Sequence, residues 1–149
     1  MSQDFYLGNP NLKKVGTEIQ FTKEQIQEYL KCKEDPVYFA MNYIKIISLD
    51  EGIVPFKMWD FQQELIESFH EHRFNIAKLP RQTGKSTTCV SYLLHYILFN
   101  DNVNVGILAN KLSTARDLLS RLQLAYEQLP LWIQQGIVVY NKGSMELEN

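Results

Sequence analysis

Cysteine is scarce in this sequence. Cys32 and Cys89 are the two in 149 residues, and each lies inside an apolar stretch. That excludes a disulfide framework, and buried thiols are expected. Histidine is as sparse. His70, His72 and His95 form no metal-binding spacing, and His70 and His72, two apart, do not share a helix face. An excess of one charge is also missing. The chain carries 15 basic and 17 acidic residues, for a formal net charge of −2. It is no polycation, so any nucleic-acid contact must come from a local patch or from parts outside this sequence. Long apolar runs are absent too. The most apolar stretch, residues 90–99, is short and interrupted by Ser91 and His95, so it does not span a bilayer. Residues 1–10 have neither a basic start nor an apolar run, so no signal peptide is expected and the protein is read as cytoplasmic.

What is present suits one globular domain. The length can bury a core. Hydrophobic residues make up 45% and aromatics 12%, which argues against disorder. Residues 1–20 carry Gly8, Asn9, Pro10 and Gly16 without any period and read as a flexible N-terminal arm. Residues 21–72 read as helical. Thr22 and Gln25 have capping-box spacing, so a helix should run from Thr22 to about Lys33. Asp35-Pro36 reads as an N-cap with proline at the first helical position, opening a helix through Val37, Phe39, Ala40, Tyr43 and Ile44. After a turn at Asp50-Glu51-Gly52, the residues Phe61, Leu65, Ile66 and Phe69 share one face and predict a helix over 60–71.

From residue 73 the pattern changes. Residues 73–79 read as a short apolar strand, 85–99 as a helix apolar nearly all round, and 103–109 as a second strand fit for the middle of a parallel sheet. Ala115, Leu118, Leu119, Leu122, Ala125, Tyr126 and Leu129 repeat at three and four and predict a long helix ended by Pro130. Residues 137–140 and 145–148 read as strands around the turn Asn141-Lys142-Gly143-Ser144. Helices followed by strand–helix–strand–helix predict an α/β domain with right-handed crossovers behind a helical lead-in.

Between the first of these strands and its helix stands Pro80-Arg81-Gln82-Thr83-Gly84-Lys85-Ser86-Thr87. A polyphosphate needs several donors converging on one point. Gly84 clears the tightest spot, loop N–H groups and the start of a helix face the anion, and Lys85 can set its ammonium on the β- and γ-phosphates. Ser86 can offer a hydroxyl to Mg²⁺, and Thr87 a donor to the α-phosphate. Bare Gly-Lys-Ser is a weak signal, and Leu79 stands where the standard pattern has a glycine, five before Gly84. The strand before and the buried helix after are the context the motif requires. Arg81 is either a surface charge or a guanidinium that swings onto the γ-phosphate. Gln62, beside Trp59 and Phe61, is either a surface glutamine next to two core aromatics or an amide reading the adenine edge with an aromatic stacked on the base's face. Lys111, Arg116 and Arg121 can meet a DNA backbone or form the solvated face of a helix.

Taken in order, Asp35–Ala40, Asp60-Phe61-Gln62, Pro80–Thr87, Gly106–Lys111, Gly136-Ile137-Val138 and Asn141–Ser144 resemble the large terminase subunit of tailed bacteriophages, in the T4-like branch, over nearly the whole chain from about Asn11. The Arg-Gln-x-Gly-Lys form of the loop is characteristic of that family and accounts for Leu79. The resemblance implies an α/β P-loop NTPase of the RecA/ASCE type, with a parallel sheet. It implies ATP and Mg²⁺ as cofactors, with Gln62 at the adenine, residues 80–87 around the phosphates, Lys85 and Arg81 in catalysis and Ser86 on the metal. It further implies ATP-driven packaging of double-stranded DNA into a prohead, transiently at the portal in the host cytoplasm. The partners implied are the portal protein, a small terminase subunit and further copies in a ring, together with a nuclease domain that cuts the DNA.

No apolar strand ending in acidic residues, the Walker-B pair, is found, and no nuclease domain. The expectation is therefore an incomplete core over 73–149 that hydrolyses ATP poorly by itself. A helicase-like translocase, a non-catalytic nucleotide-binding or assembly module and a truncated remnant are the competing readings.

Overall fold

The computed structural model describes residues 4–48 and 50–149; residues 1–3 of the expected arm, and Leu49, lie outside the described residues. Helices dominate, and the caps explain where they start. Helix α1 (Lys23–Glu34) opens on Thr22, whose hydroxyl accepts from the Gln25 N–H while the Gln25 side chain accepts from the Thr22 N–H. Helix α2 (Pro36–Tyr43) opens on Asp35, whose carboxylate accepts from Tyr38 N–H at 2.8 Å. Helices α3 (Asp60–Glu71) and α4 (Lys85–Phe99) have the bounds their periodicity predicts. Helix α5 (Leu112–Glu127) starts three residues before the first apolar position of its repeat, and Pro130 follows its end.

The expected parallel sheet is not formed. The described residues hold five α-helices and two small antiparallel pairs, β1 (Lys45–Ser48) with β2 (Gly52–Pro55) and β3 (Ile137–Tyr140) with β4 (Met145–Leu147). This is not the RecA/ASCE-type sheet of a P-loop NTPase. Residues 73–79 and 103–109, read as its strands, belong to no ladder. The reason is physical. A strand is stable only when a neighbour takes its N–H and C=O groups, and an apolar β-prone run supplies no neighbour by itself. In place of burial, Phe74 is 84%, Ile76 102% and Leu108 96% exposed.

The β1–β2 hairpin pairs Lys45 with Pro55 and Ser48 with Gly52 around the turn expected at 50–52. Gly52 sits at φ +75°, where a side chain would be strained. The core forms around α4, which packs on α2, α3 and α5. Leu94 and Leu98 of α4 are fully buried with Phe39, Ile66, Tyr126 and Ile133. Each such side chain contributes about 1.5–3 kcal/mol of burial. Residues 5–16 dock on the β3–β4 side. Leu12 is buried, Lys14 bridges Ile137, and Gln134 accepts from Lys13 N–H and donates to Asn11 O at 2.9 Å. The Glu148 carboxylate accepts from the N–H groups of Gly16 and Gly136. Partial burial opposes its charge, but those two bonds and Lys13 outweigh it and hold the carboxyl below its ordinary range.

Candidate functional site

The loop between α3 and α4 is shaped by bonds that consume its carbonyl oxygens. Thr83 hydroxyl donates to Pro80 O at 3.0 Å. The Lys85 ammonium reaches back to Pro80 O at 3.2 Å and Leu79 O at 3.4 Å. Thr83 O accepts from Gln62 Nε2 at 3.1 Å, and Gly84 O from Thr88 N–H at 2.9 Å and from its hydroxyl at 3.0 Å. Two residues adopt left-handed backbone, Gln82 at φ +61° and Gly84 at φ +71°. Gly84 is the N-cap of α4, so Lys85 is its first helical residue.

Those bonds leave the other half of each peptide free. Among the described residues, the backbone N–H groups of 81–87 meet no protein acceptor. Alternation into left-handed backbone turns successive N–H groups toward one side, and the positive end of a 15-residue helix adds to them. The chemistry on offer is a run of backbone donors at a helix start with the Lys85 ammonium on the loop's own carbonyls, a donor set of the kind that suits a multiply charged oxyanion. Ser86 and Thr87 are half-buried at this first turn, and the Ser86 hydroxyl bonds no protein group among the described residues. Arg81 is exposed and makes no ion pair among the described residues. Pro80 and Gln82 are exposed and contribute backbone.

Gln62 comes to the loop from α3. It is 6% exposed, and both ends of its amide are engaged, Oε1 by Trp59 N–H at 3.0 Å and Nε2 by Thr83 O. The amide thus fastens the start of α3 to the loop. Its approach is so close that a Cβ built on Gly84 would lie 2.6 Å from Gln62 Nε2. Sequence reasoning set Trp59 and Phe61 beside Gln62 as aromatics able to stack on the adenine face, and did not anticipate the bond from Trp59 N–H to the Gln62 amide. The Trp59–Gln62 spacing is that of a capping pair, which was the available signal. The indole of Trp59 is 71% exposed and stands nearly perpendicular to Phe61 at 5.8 Å between ring centres.

Lys111, Arg116 and Arg121 are exposed on and beside the first turns of α5. Arg121 and Thr87 line one cavity of about 330 Å³ with Ile44, Val90 and Leu124. Another cavity, of about 440 Å³, lies between residues 102–107 and β4 and shares no residue with the loop. The loop is an open cradle rather than a deep pocket, as a phosphate site built from backbone can be.

Among the described residues no group of three or more His, Cys, Asp and Glu side chains could hold a metal ion, and no helix is long and apolar enough to cross a membrane. A Mg²⁺ here would take Ser86 as its protein ligand, with phosphate oxygens and water for the rest. Cys32 and Cys89 are free thiols, both pushed up by burial, Cys32 to about 12. Compared with models of known protein families, the chain matches none.

Proposed function

We infer that residues 80–87 bind the phosphates of ATP with Mg²⁺, and that the chain works in an ATP-driven motor that packages double-stranded DNA. The observation that carries the phosphate reading is the loop itself. Its carbonyls are taken by Thr83, Lys85, Gln62 and Thr88, while among the described residues its N–H groups at 81–87 meet no protein acceptor. The motor reading rests on the ordered motifs that resemble the large terminase subunit. It entails the portal protein, a small subunit, DNA and a ring of copies as partners. In it, Ser86 would help to hold a Mg²⁺ ion, which would supply charge neutralisation on the phosphates. Lys85 orients the phosphate chain, Ser86 faces the metal, and Arg81 is free to follow the terminal phosphate.

The test reads binding rather than turnover, because the sequence offers no Walker-B carboxylates. Lys85→Ala is expected to weaken ATP and inorganic tripolyphosphate at least tenfold in calorimetric titrations with Mg²⁺, while the thermal midpoint stays within a few degrees. A charge-assisted contact of about 1.5–3 kcal/mol sets that scale. Equal binding by wild type and Lys85→Ala overturns the assignment.

A further inference from the structure

We propose that the gap between β4 and residues 103–107 receives an extended segment of a partner protein, which adds to β4 as a strand and sets a lysine or arginine beside Glu146. The inference does not rest on the phosphate reading, since the cavity there shares no residue with the loop. Two stretches with unpaired backbone wall this cavity of about 440 Å³. Strand β4 pairs with β3 on one side and, among the described residues, with no strand on the other. Across the gap, the N–H and C=O groups of 103–109 meet no protein partner among the described residues. The gap is closed at one end, where Asn102 N–H donates to Asn149 O at 2.8 Å and the Asn149 amide donates to Ile97 O and Asn100 O, each at 2.9 Å. Backbone groups without partners call for a ligand that brings its own donors and acceptors in a row. An extended peptide does so along both of its edges. A helix has spent its backbone bonds internally, and an apolar small molecule has none to give.

The side chains set which peptide fits. Ile97 of α4 and Leu119 and Leu122 of α5 give the gap an apolar wall. On β4, Met145 and Leu147 are half-buried and Glu146 between them is exposed. An added strand continues that alternation, with apolar residues beside Met145 and Leu147 and a solvent-facing residue beside Glu146. Among the described residues that line the gap, Glu146 alone is charged. A cation next to it pairs across the strands, whereas a carboxylate is repelled. The partner segment therefore reads apolar–basic–apolar within about five residues, the length of the wall at 103–107.

The probe is an acetylated, amidated peptide, valine–lysine–valine–threonine–valine, titrated into the labelled full chain and followed by amide resonances and hydrogen exchange. Saturable shifts are expected at residues 103–107 and 145–147, with slowed exchange there. Methylating the peptide's nitrogens at alternate residues removes about half of its donors and should weaken binding roughly tenfold. Glu146→Lys changes an exposed side chain and should invert the preference between the lysine peptide and its glutamate counterpart. No binding at millimolar peptide, or shifts confined to other residues, overturns the proposal. Equal binding by the methylated peptide marks apolar adhesion without strand pairing and also overturns it, as does an unchanged preference in Glu146→Lys. Shifts of the same amides on raising the protein concentration without peptide assign the gap to a second copy of this chain and overturn the partner named here.

Discussion

Gly84→Ala is expected to weaken ATP binding by well over tenfold and to lower the thermal midpoint measurably. Two independent costs meet at this position. The backbone stands at φ +71°, and a residue with a Cβ in left-handed conformation costs about 1–2 kcal/mol. The new Cβ would also lie 2.6 Å from Gln62 Nε2, inside any tolerable contact. A flexible side-chain end could usually yield, but this one is held at both sides, by Trp59 N–H and Thr83 O, and is nearly fully buried. Displacing it leaves a buried donor and acceptor without partners, at about 1–3 kcal/mol. Since Gly84 caps α4 and carries one of the loop's two left-handed turns, the damage falls on the phosphate cradle first. Calorimetry with ATP and a melting curve on the same variant read both effects. Wild-type affinity in Gly84→Ala would mean that the loop shape does not hold the ligand.

A second large effect concerns acid. His95 of α4 is 2% exposed, donates through Nε2 to Cys32 O at 2.9 Å, and leaves its buried Nδ1 without a partner. It packs among Phe39 of α2, His70 of α3, and Tyr92 and Phe99 of its own helix. Burial dominates and lowers its pKa from 6.5 to about 4; the bond to Cys32 O opposes this and His70 adds to it, with Lys33 and Asp35 opposing weakly. A folded-state pKa below the unfolded one means that the unfolded chain takes up the proton first. Stability is then full above about pH 6.5 and is lost as pH falls toward 4. At about 1.4 kcal/mol per unit, the loss is of the order of 3 kcal/mol. Urea midpoints between pH 7.5 and 4 should fall steeply in the wild type. They should fall much less in His95→Phe, which keeps an aromatic ring and removes the titration. Parallel curves for the two proteins would show that carboxylates elsewhere, not His95, carry the acid response.

The helices were legible because their signals are local. Thr22 with Gln25, and Asp35 with Pro36, mark starts within four residues, and the buried stripes of α3 and α4 repeat within a turn. The sheet was not legible, since pairing is a relation between distant segments. Residues 73–79 and 103–109 have the apolar run of buried strands and yet stand outside any ladder. The reverse error occurred at β1 and β2. Ile46, Ile47, Ile53 and Val54 flank the turn that was recognised, but the flanks were not read as a hairpin. At the site, Gly84, Lys85 and the helix start followed from the motif. The Gln62–Thr83 bond did not, because it joins residues 21 apart and has no local signature. That bond braces the loop from the start of α3.

The central claim is that the N–H groups of 81–87 cradle a polyphosphate. Backbone amide resonances of the labelled protein, followed during titration with ATP and Mg²⁺, test it most directly. The largest shifts should fall on Gln82, Thr83, Gly84, Lys85 and Ser86. Tripolyphosphate should reproduce those shifts. Saturable binding that leaves these amides in place and moves resonances around the cavity beside β4 would contradict it.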